Sequence, residues 1–427
     1  MNEQYEIASV KLQDMPLVPG SKAAHKAILR HEVDEDQLIA RRYYEWLEEN
    51  WDIARQDTTD YSSFLNRMAA GFLIKSDKRN QVLSPLSIFH ALAVMAELTE
   101  GNTQREILSA MGLPDAASTR KAISILYRAN LTTGGAEVRP SAMLWFDKTV
   151  NVNTEKMREI ADSIYVGSRQ GKMTDSDYQN AISSWLNKAT GDVLPAGSKT
   201  LKIDDKTRMI LLTTVYFHDK WRNEFERRKT KTAIFRAPDG DVMVPFMHQS
   251  YWLNVCIEES YTAVPLDFEG MNSLWFVLPK EGFTPEDLLS KDFFTSFPPD
   301  WQHRVKRDVH MDIPKFEIHE DIDLLESLRT MGIHQLFSDK SQTPYTITED
   351  GFDIKVDQAK HSTKLKIDER GCEASAYTVM VGIAAGIPKT PPRMDFILNR
   401  PFLFALMGKG NLPLFMGIVR QPDSTGI

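Results

Sequence analysis

Lys366-Ile-Asp-Glu-Arg-Gly-Cys-Glu-Ala-Ser-Ala-Tyr-Thr-Val-Met-Val-Gly-Ile-Ala-Ala-Gly386 carries the patterns of two structures at once. Read by parity, Cys372, Ala374, Ala376, Thr378, Met380 and Gly382 share one face of a strand, because side chains alternate faces with period two. That face is uncharged and mostly small, while Glu373, Ser375 and Tyr377 begin the other. The segment therefore suits the middle of a sheet. Just downstream, Gly386, Pro388, Pro391 and Pro392 read as loop, since proline has no place in a central strand. A segment patterned both as exposed loop and as latent strand predicts two conformations, with function in the passage between them.

Working outward, the chain shows helices early and strands late. Phe64, Met68, Phe72 and Leu73 line one face of a helix ending near Lys75, and Ser84 before Pro85 is a helix N-cap followed by proline at the first helical position. Asn102 or Thr103 is expected to cap the next helix. Strand-like runs then cover 142–146, 209–217, 251–257, 273–278, 309–313, 352–356, 394–398, 402–407 and 414–419. This order predicts an α+β fold with largely antiparallel sheets. Residues 1–58 read as a separate N-terminal extension, loose and polar from Lys11 to Lys26. An amphipathic helix follows, with Ile39, Tyr43, Trp46, Leu47 and Trp51 on its docking face. Residues 59–427 read as the main domain.

Composition is that of an ordinary globular protein: 427 residues, 42% hydrophobic and 26% charged. A formal charge of −8 argues against a general nucleic-acid or anionic-membrane binder. Two cysteines, Cys256 and Cys372, are too few for a disulfide framework or a cysteine-ligated zinc site. No apolar run is long enough to span a membrane, and the first residues show no secretory signal as written. Phosphate-binding glycine loops, Gly-x-Ser-x-Gly and His-Glu-x-x-His are all absent, so neither cofactor, metal nor enzyme chemistry is expected.

An ordered series of motifs resembles the serpin family from about residue 61 to 422. It runs through Asn80-x-x-x-Ser84-Pro85-x-Ser87-Ile88, Gly101-Asn-Thr103, Val215-Tyr-Phe-x-x-x-Trp221-x-x-x-Phe225, Pro265-Leu-x-Phe and Leu278-Pro279-Lys. Ile313-Pro-Lys315-Phe, Leu328-x-x-Met-Gly332, Asn399-Arg-Pro-Phe402 and Pro413-Leu-Phe-Met-Gly417 complete it. The resemblance implies helices packed on three largely antiparallel sheets with an exposed reactive-centre loop. It also implies a suicide-substrate inhibitor, a monomer whose partner is a target serine protease. The protease attacks the loop and becomes a covalent acyl-enzyme, and the loop then inserts into the large sheet, distorting the protease before it deacylates.

The same resemblance assigns residues. Gly371 is the pivot, flanked by Glu369 and Cys372, and Glu373, Ala374, Ser375 and Ala376 form the small-residue hinge. Trp221 and Lys315 mark the breach, with Lys315 expected to pair with Glu369. Ser84, Ser87 and His361 form the shutter. Ser183 and Thr213 stand where the family has asparagines, so that network must be built differently, and Leu98 replaces a usual glycine. Cys372 and Tyr377 depart from the hinge pattern, one small enough to insert and the other facing outward. Counting the family's spacing from Gly371 places the reactive bond at Ala385–Gly386, within a loop that includes Val381, Gly382, Ile383 and Ala384. That apolar bait fits the shallow pocket of elastase-like or subtilisin-like proteases. The stretch from Ala385 to Phe402 is a few residues longer than the family's, which leaves neighbouring bonds open. Alternatives are a noninhibitory binding protein on the same fold, or cross-inhibition of cysteine proteases. The family implies an extracellular location, with the cytoplasm as the alternative.

Overall fold

The computed structural model describes residues 5–12, 14–19, 24, 27–28, 36–74, 79–132, 136–191, 202–338, 360–372 and 390–422. Its helices precede most of its strands. The helices that frame the site are α1 (Asp36–Gln56), α2 (Ser62–Met68), α3 (Pro85–Leu98), α4 (Gly101–Met111), α5 (Ala116–Asn130), α6 (Thr154–Ile164) and α7 (Ser176–Ala189). Ser84 caps α3 by accepting from the Ser87 N–H at 3.2 Å. Nearly every α3 side chain is buried, so this helix runs through the core.

Three sheets are present among the described residues. The first takes the order β1 (Glu6–Ala8), β4 (Val166–Gly171), β3 (Glu137–Asp147), β5 (Met209–Lys220) and β13 (Gly371–Cys372). The second, of nine strands, begins with β14 (Arg393–Ile397), β10 (Val305–Pro314), β7 (Gly240–Ile257), β8 (Tyr261–Asp267) and β9 (Ser273–Pro279). It continues through β15 (Phe402–Met407), β16 (Pro413–Val419) and β2 (Gln81–Leu83), with β6 (Lys231–Ala237) paired to β7. The third is the pair β11 (Phe316–Asp323) and β12 (Lys360–Ile367). Pairing is antiparallel except for β3 with β4 and β10 with β14. The strands expected at 142–146, 209–217, 251–257, 273–278, 309–313, 402–407 and 414–419 all lie within these elements, and 394–397 within β14. The run expected at 352–356 lies outside the described residues.

One local expectation fails. Helix α4 starts at Gly101, with Glu100 in the cap position and no side-chain cap, so neither Asn102 nor Thr103 caps it. Thr103 is buried instead, and Asn102 accepts a hydrogen bond from the Arg105 guanidinium. The helix begins before either residue, so both stand inside its first turn and past the position from which a side chain caps.

The N-terminal extension is part of the packing. Ile39, Tyr43, Trp46, Leu47 and Ala54 of α1 are buried at helical spacing, and α1 lies against α5. The Trp51 indole donates to the Ala129 carbonyl at 2.9 Å, and Arg128 reaches Asn50 and Asp14. Leu12, Met15 and Val18, from the stretch read as loose and polar, pack under Trp46, and β1 adds a strand to the edge of the first sheet.

Candidate functional site

Strand β5 alternates by design of its sequence. Phe217 and Thr213 point to the core, the first against Phe268 and the second against Ser87, whereas Leu212 and Ile210 pack with Trp145 beneath α7. No ladder joins β5 to β12 among the described residues. Between them lies a narrow cleft with about 30 Å³ of free space, walled by Thr214, Val215 and Phe217 on one side and Thr363 and Leu365 on the other. Ser84, Ser87 and Phe415 form its floor, and Cys372 stands at one end.

Among the described residues, Gly371 and Cys372 enter that gap as the two-residue strand β13. After β12 the chain turns tightly, with Asp368 and Gly371 exchanging backbone hydrogen bonds at 3.1 and 3.3 Å, and β13 then runs antiparallel along β5. Gly371 pairs with Lys220 and Cys372 with Asp219. The Gly371 backbone has φ +143°, and a Cβ there would sit 2.4 Å from the Asp219 carbonyl oxygen and 2.7 Å from Lys220 Cα. Glycine is required both for conformation and for this close approach. Cys372 is buried in the cleft.

The turn is held from beneath. The Trp221 indole donates to the Asp368 carbonyl at 2.9 Å, the Trp221 amide to Arg370 at 2.9 Å, and the Phe225 amide to Glu369 at 2.9 Å. Trp221 itself is fully buried and stacks on Phe268, their ring centroids 4.3 Å apart. Lys315 Nζ lies 3.0 Å from Glu369 Oε2, and the Thr230 hydroxyl donates to Glu369 Oε1 at 2.7 Å. Burial alone would raise the Glu369 carboxyl, but the bonds from Thr230 and Lys315 outweigh it and hold the group below its ordinary value.

Below the cleft, His361 Nε2 accepts from the Ser84 amide at 3.0 Å. Burial depresses the His361 pKa to about 4, so the ring is neutral with its proton on Nδ1. Ser87 Oγ donates to Thr213 Oγ1 at 3.1 Å, and Thr213 Oγ1 donates to the Ser87 carbonyl at 3.0 Å. Ser183 takes no part: its hydroxyl bonds the Gln179 carbonyl of its own helix at 3.0 Å. Among the described residues, Thr213 thus makes the hydrogen-bonded link from β5 to α3. Thr363 completes the floor by donating to Val82 at 3.1 Å.

The structure therefore brings Ser84, Ser87, Trp221, Lys315, His361, Glu369, Gly371 and Cys372 to one cleft and its upper rim. Glu373, Ala374, Ser375, Ala376, Val381, Gly382, Ile383, Ala384, Ala385 and Gly386 lie outside the described residues. Sequence reading passed over Thr230, Asp219 and the Phe225 amide. Thr230 follows a short turn, Arg227–Lys229, and nothing in its local spacing signals that it meets a carboxylate 139 positions away.

Comparison with known proteins agrees with this geometry. The family model described as Serpin (serine protease inhibitor) matches residues 61–422. Human Antithrombin-III is 29% identical across 98% of this chain and 91% of its own length, and Alpha-1-antiproteinase of Callosciurus caniceps is 28% identical across 82% and 84%. Solved structures share the fold at low identity. Native Tengpin, a thermophilic serpin, has a TM-score of 0.71 and 22% identity over 86% of this chain and 95% of its own. Protease nexin-1 with heparin has a TM-score of 0.73 and 21% identity over 85% and 98%. The chain belongs to the serpin family of serine protease inhibitors.

Proposed function

We propose that this protein is an irreversible suicide-substrate inhibitor of elastase-like serine proteases, cleaved at Ala385–Gly386 and acting by insertion of its loop between β5 and β12. The observation that carries the reading is the two-residue strand β13, already paired with β5 at one end of the cleft between β5 and β12. Continuing that register pairs Ala374 with Phe217, Ala376 with Val215, Thr378 with Thr213, Met380 with Leu211 and Gly382 with Met209. Directly paired residues share a face. The small, uncharged set would therefore lie on the side where Phe217 and Thr213 face the core, and Glu373, Ser375 and Tyr377 on the outer side. Each added ladder bond contributes about 0.5–1.5 kcal/mol net, so some ten such bonds supply about 5–15 kcal/mol, a driving force comparable to an ordinary domain's margin of stability.

In this reading Gly371 is the pivot, and Glu369, Lys315 and Trp221 hold its base. Ser84, Ser87 and His361 line the floor the strand must cross. The protease attacks the loop as it would a substrate: its serine adds to the Ala385 carbonyl, the amine of Gly386 leaves, and an ester joins the two proteins. The acyl-enzyme is carried away from the cleavage position before water reaches the ester, and the partner remains covalently bound. Action outside the cell belongs to the same proposal.

Incubation with pancreatic elastase tests it. The expected result is a complex stable in SDS, loss of elastase activity, and a released C-terminal fragment beginning at Gly386 by mass spectrometry. Cleavage without complex would overturn the inhibitory reading, and a fragment beginning elsewhere would overturn the bond assignment.

A further inference from the structure

We propose that Asp219 is a positioning residue for loop insertion, fastening the end of β5 where the hinge strand must dock. The proposal rests on the inhibitory reading and adds to it a residue that no sequence motif marks.

Asp219 is 1% exposed, and its carboxylate ties β5 to the turn between β8 and β9. It accepts from the Gly270 amide at 3.1 Å and from Asn272 Nδ2 at 3.2 Å, both in the turn between β8 and β9, and from the neighbouring Lys220 amide at 2.8 Å. The Glu269 amide donates back to the Lys220 carbonyl at 2.8 Å, so the turn grips two consecutive residues of β5. These are the two residues whose backbones pair with Gly371 and Cys372. Gly270 meets the same carboxylate so closely that a Cβ would stand 2.6 Å from Asp219 Oδ2. On the far side of the turn Lys409 Nζ donates to the Met271 carbonyl at 2.5 Å and lies over the Trp51 ring of α1.

An acid here is costly. Burial raises the Asp219 carboxyl to about 6 against the bonds that favour its charge, with Glu269 adding to the rise. An apolar side chain would avoid that cost but could not grip the turn. The benefit lies in register: the approach of Gly371 to the Asp219 carbonyl leaves no slack, so β5 must be held in place for β13 to pair. None of the carboxylate's bonds goes to β13 itself, and the residue acts through the backbone it fixes.

The test uses the full chain with Asp219→Asn and Asn272→Ala. The first replaces one acceptor oxygen by a donor facing donors, and the second removes one grip without touching β5. Both variants should raise amide exchange at Gly371 and Cys372 about tenfold, the factor of one lost buried hydrogen bond, relative to β15 and β16. With pancreatic elastase, both should raise the number of inhibitor molecules cleaved per protease trapped, while the rate of first cleavage stays unchanged. A merely structural role would raise exchange throughout and leave this partition alone. Unchanged exchange at Gly371 and Cys372 in both variants would overturn the proposal, as would an equal rise across β15 and β16. Should the unmodified protein trap no protease, the inhibitory reading fails, and the exchange comparison still decides whether Asp219 holds the hinge.

Discussion

Replacing Glu369 by Gln removes one charge from a pair buried on both sides. The Lys315 and Glu369 side chains are 13% and 7% exposed, with the charged atoms 3.0 Å apart. Stripping one partner from such a pair leaves the other uncompensated in a poorly solvated place, a loss of about 3–5 kcal/mol. Gln is close to isosteric and still accepts from Thr230, which sets the expected loss near 3 kcal/mol, the lower end of that range. Lys315→Met should lose a similar amount. The double variant places neutral groups on both sides and should lie within about 1 kcal/mol of the unmodified protein, because a whole buried pair is often replaceable at little net change. A double-mutant cycle from urea unfolding at pH 7 should therefore return a coupling of at least about 2 kcal/mol. The sign with pH follows from the lowered Glu369 carboxyl. Its contribution is present above the ordinary value of 4.5 and is lost as pH falls through the lower folded value, so the gap to Glu369→Gln should close in acid. A coupling under about 0.5 kcal/mol, or a gap that persists in strong acid, would refute the reasoning.

Gly371→Ala places a Cβ against the Asp219 carbonyl in a backbone region that side chains disfavour, so the covalent complex with elastase should diminish and cleaved inhibitor accumulate; an unaltered yield on a denaturing gel would count against the pivot. Burial holds His90 and His361 down to about 4, so the unfolded chain takes up protons near 6.5 that the folded state refuses. Stability should fall by about 1.4 kcal/mol per pH unit for each histidine between those values, and His361→Gln should show a shallower decline in urea midpoint. Deleting residues 1–56 removes the buried Tyr43, Trp46 and Leu47, each worth about 1.5–3 kcal/mol of apolar burial, and should lower the thermal midpoint; an unchanged midpoint would mean that the extension packs without stabilising.

Patterns carried by neighbouring residues were legible at once. Ser84-Pro85 announced a helix start because capping is satisfied within one turn, and the face of Tyr43, Trp46 and Leu47 announced a docked helix because burial repeats at 3.6 residues. Where a local rule misled, the helix had begun earlier: Thr103 has the chemistry of a cap but stands inside the first turn of α4. The shutter was half legible. Ser84, Ser87 and His361 were marked by their motif, but whether Ser183 or Thr213 bridged to α3 depended on which hydroxyl the packed sheet brought within reach.

By itself the sequence determined many of the strands, the alternation that makes the segment after Gly371 compatible with a sheet interior, and the family to which the ordered motifs belong. Only the tertiary structure decided that β5 and β12 stand apart, that Gly371 and Cys372 already occupy the end of the gap, and that Thr230 and Asp219 hold what surrounds them. Periodicity is a property of adjacent residues and survives in the linear chain. A cleft between strands separated by some 150 positions, and a carboxylate shared by a turn 50 residues away, are set by how the layers pack.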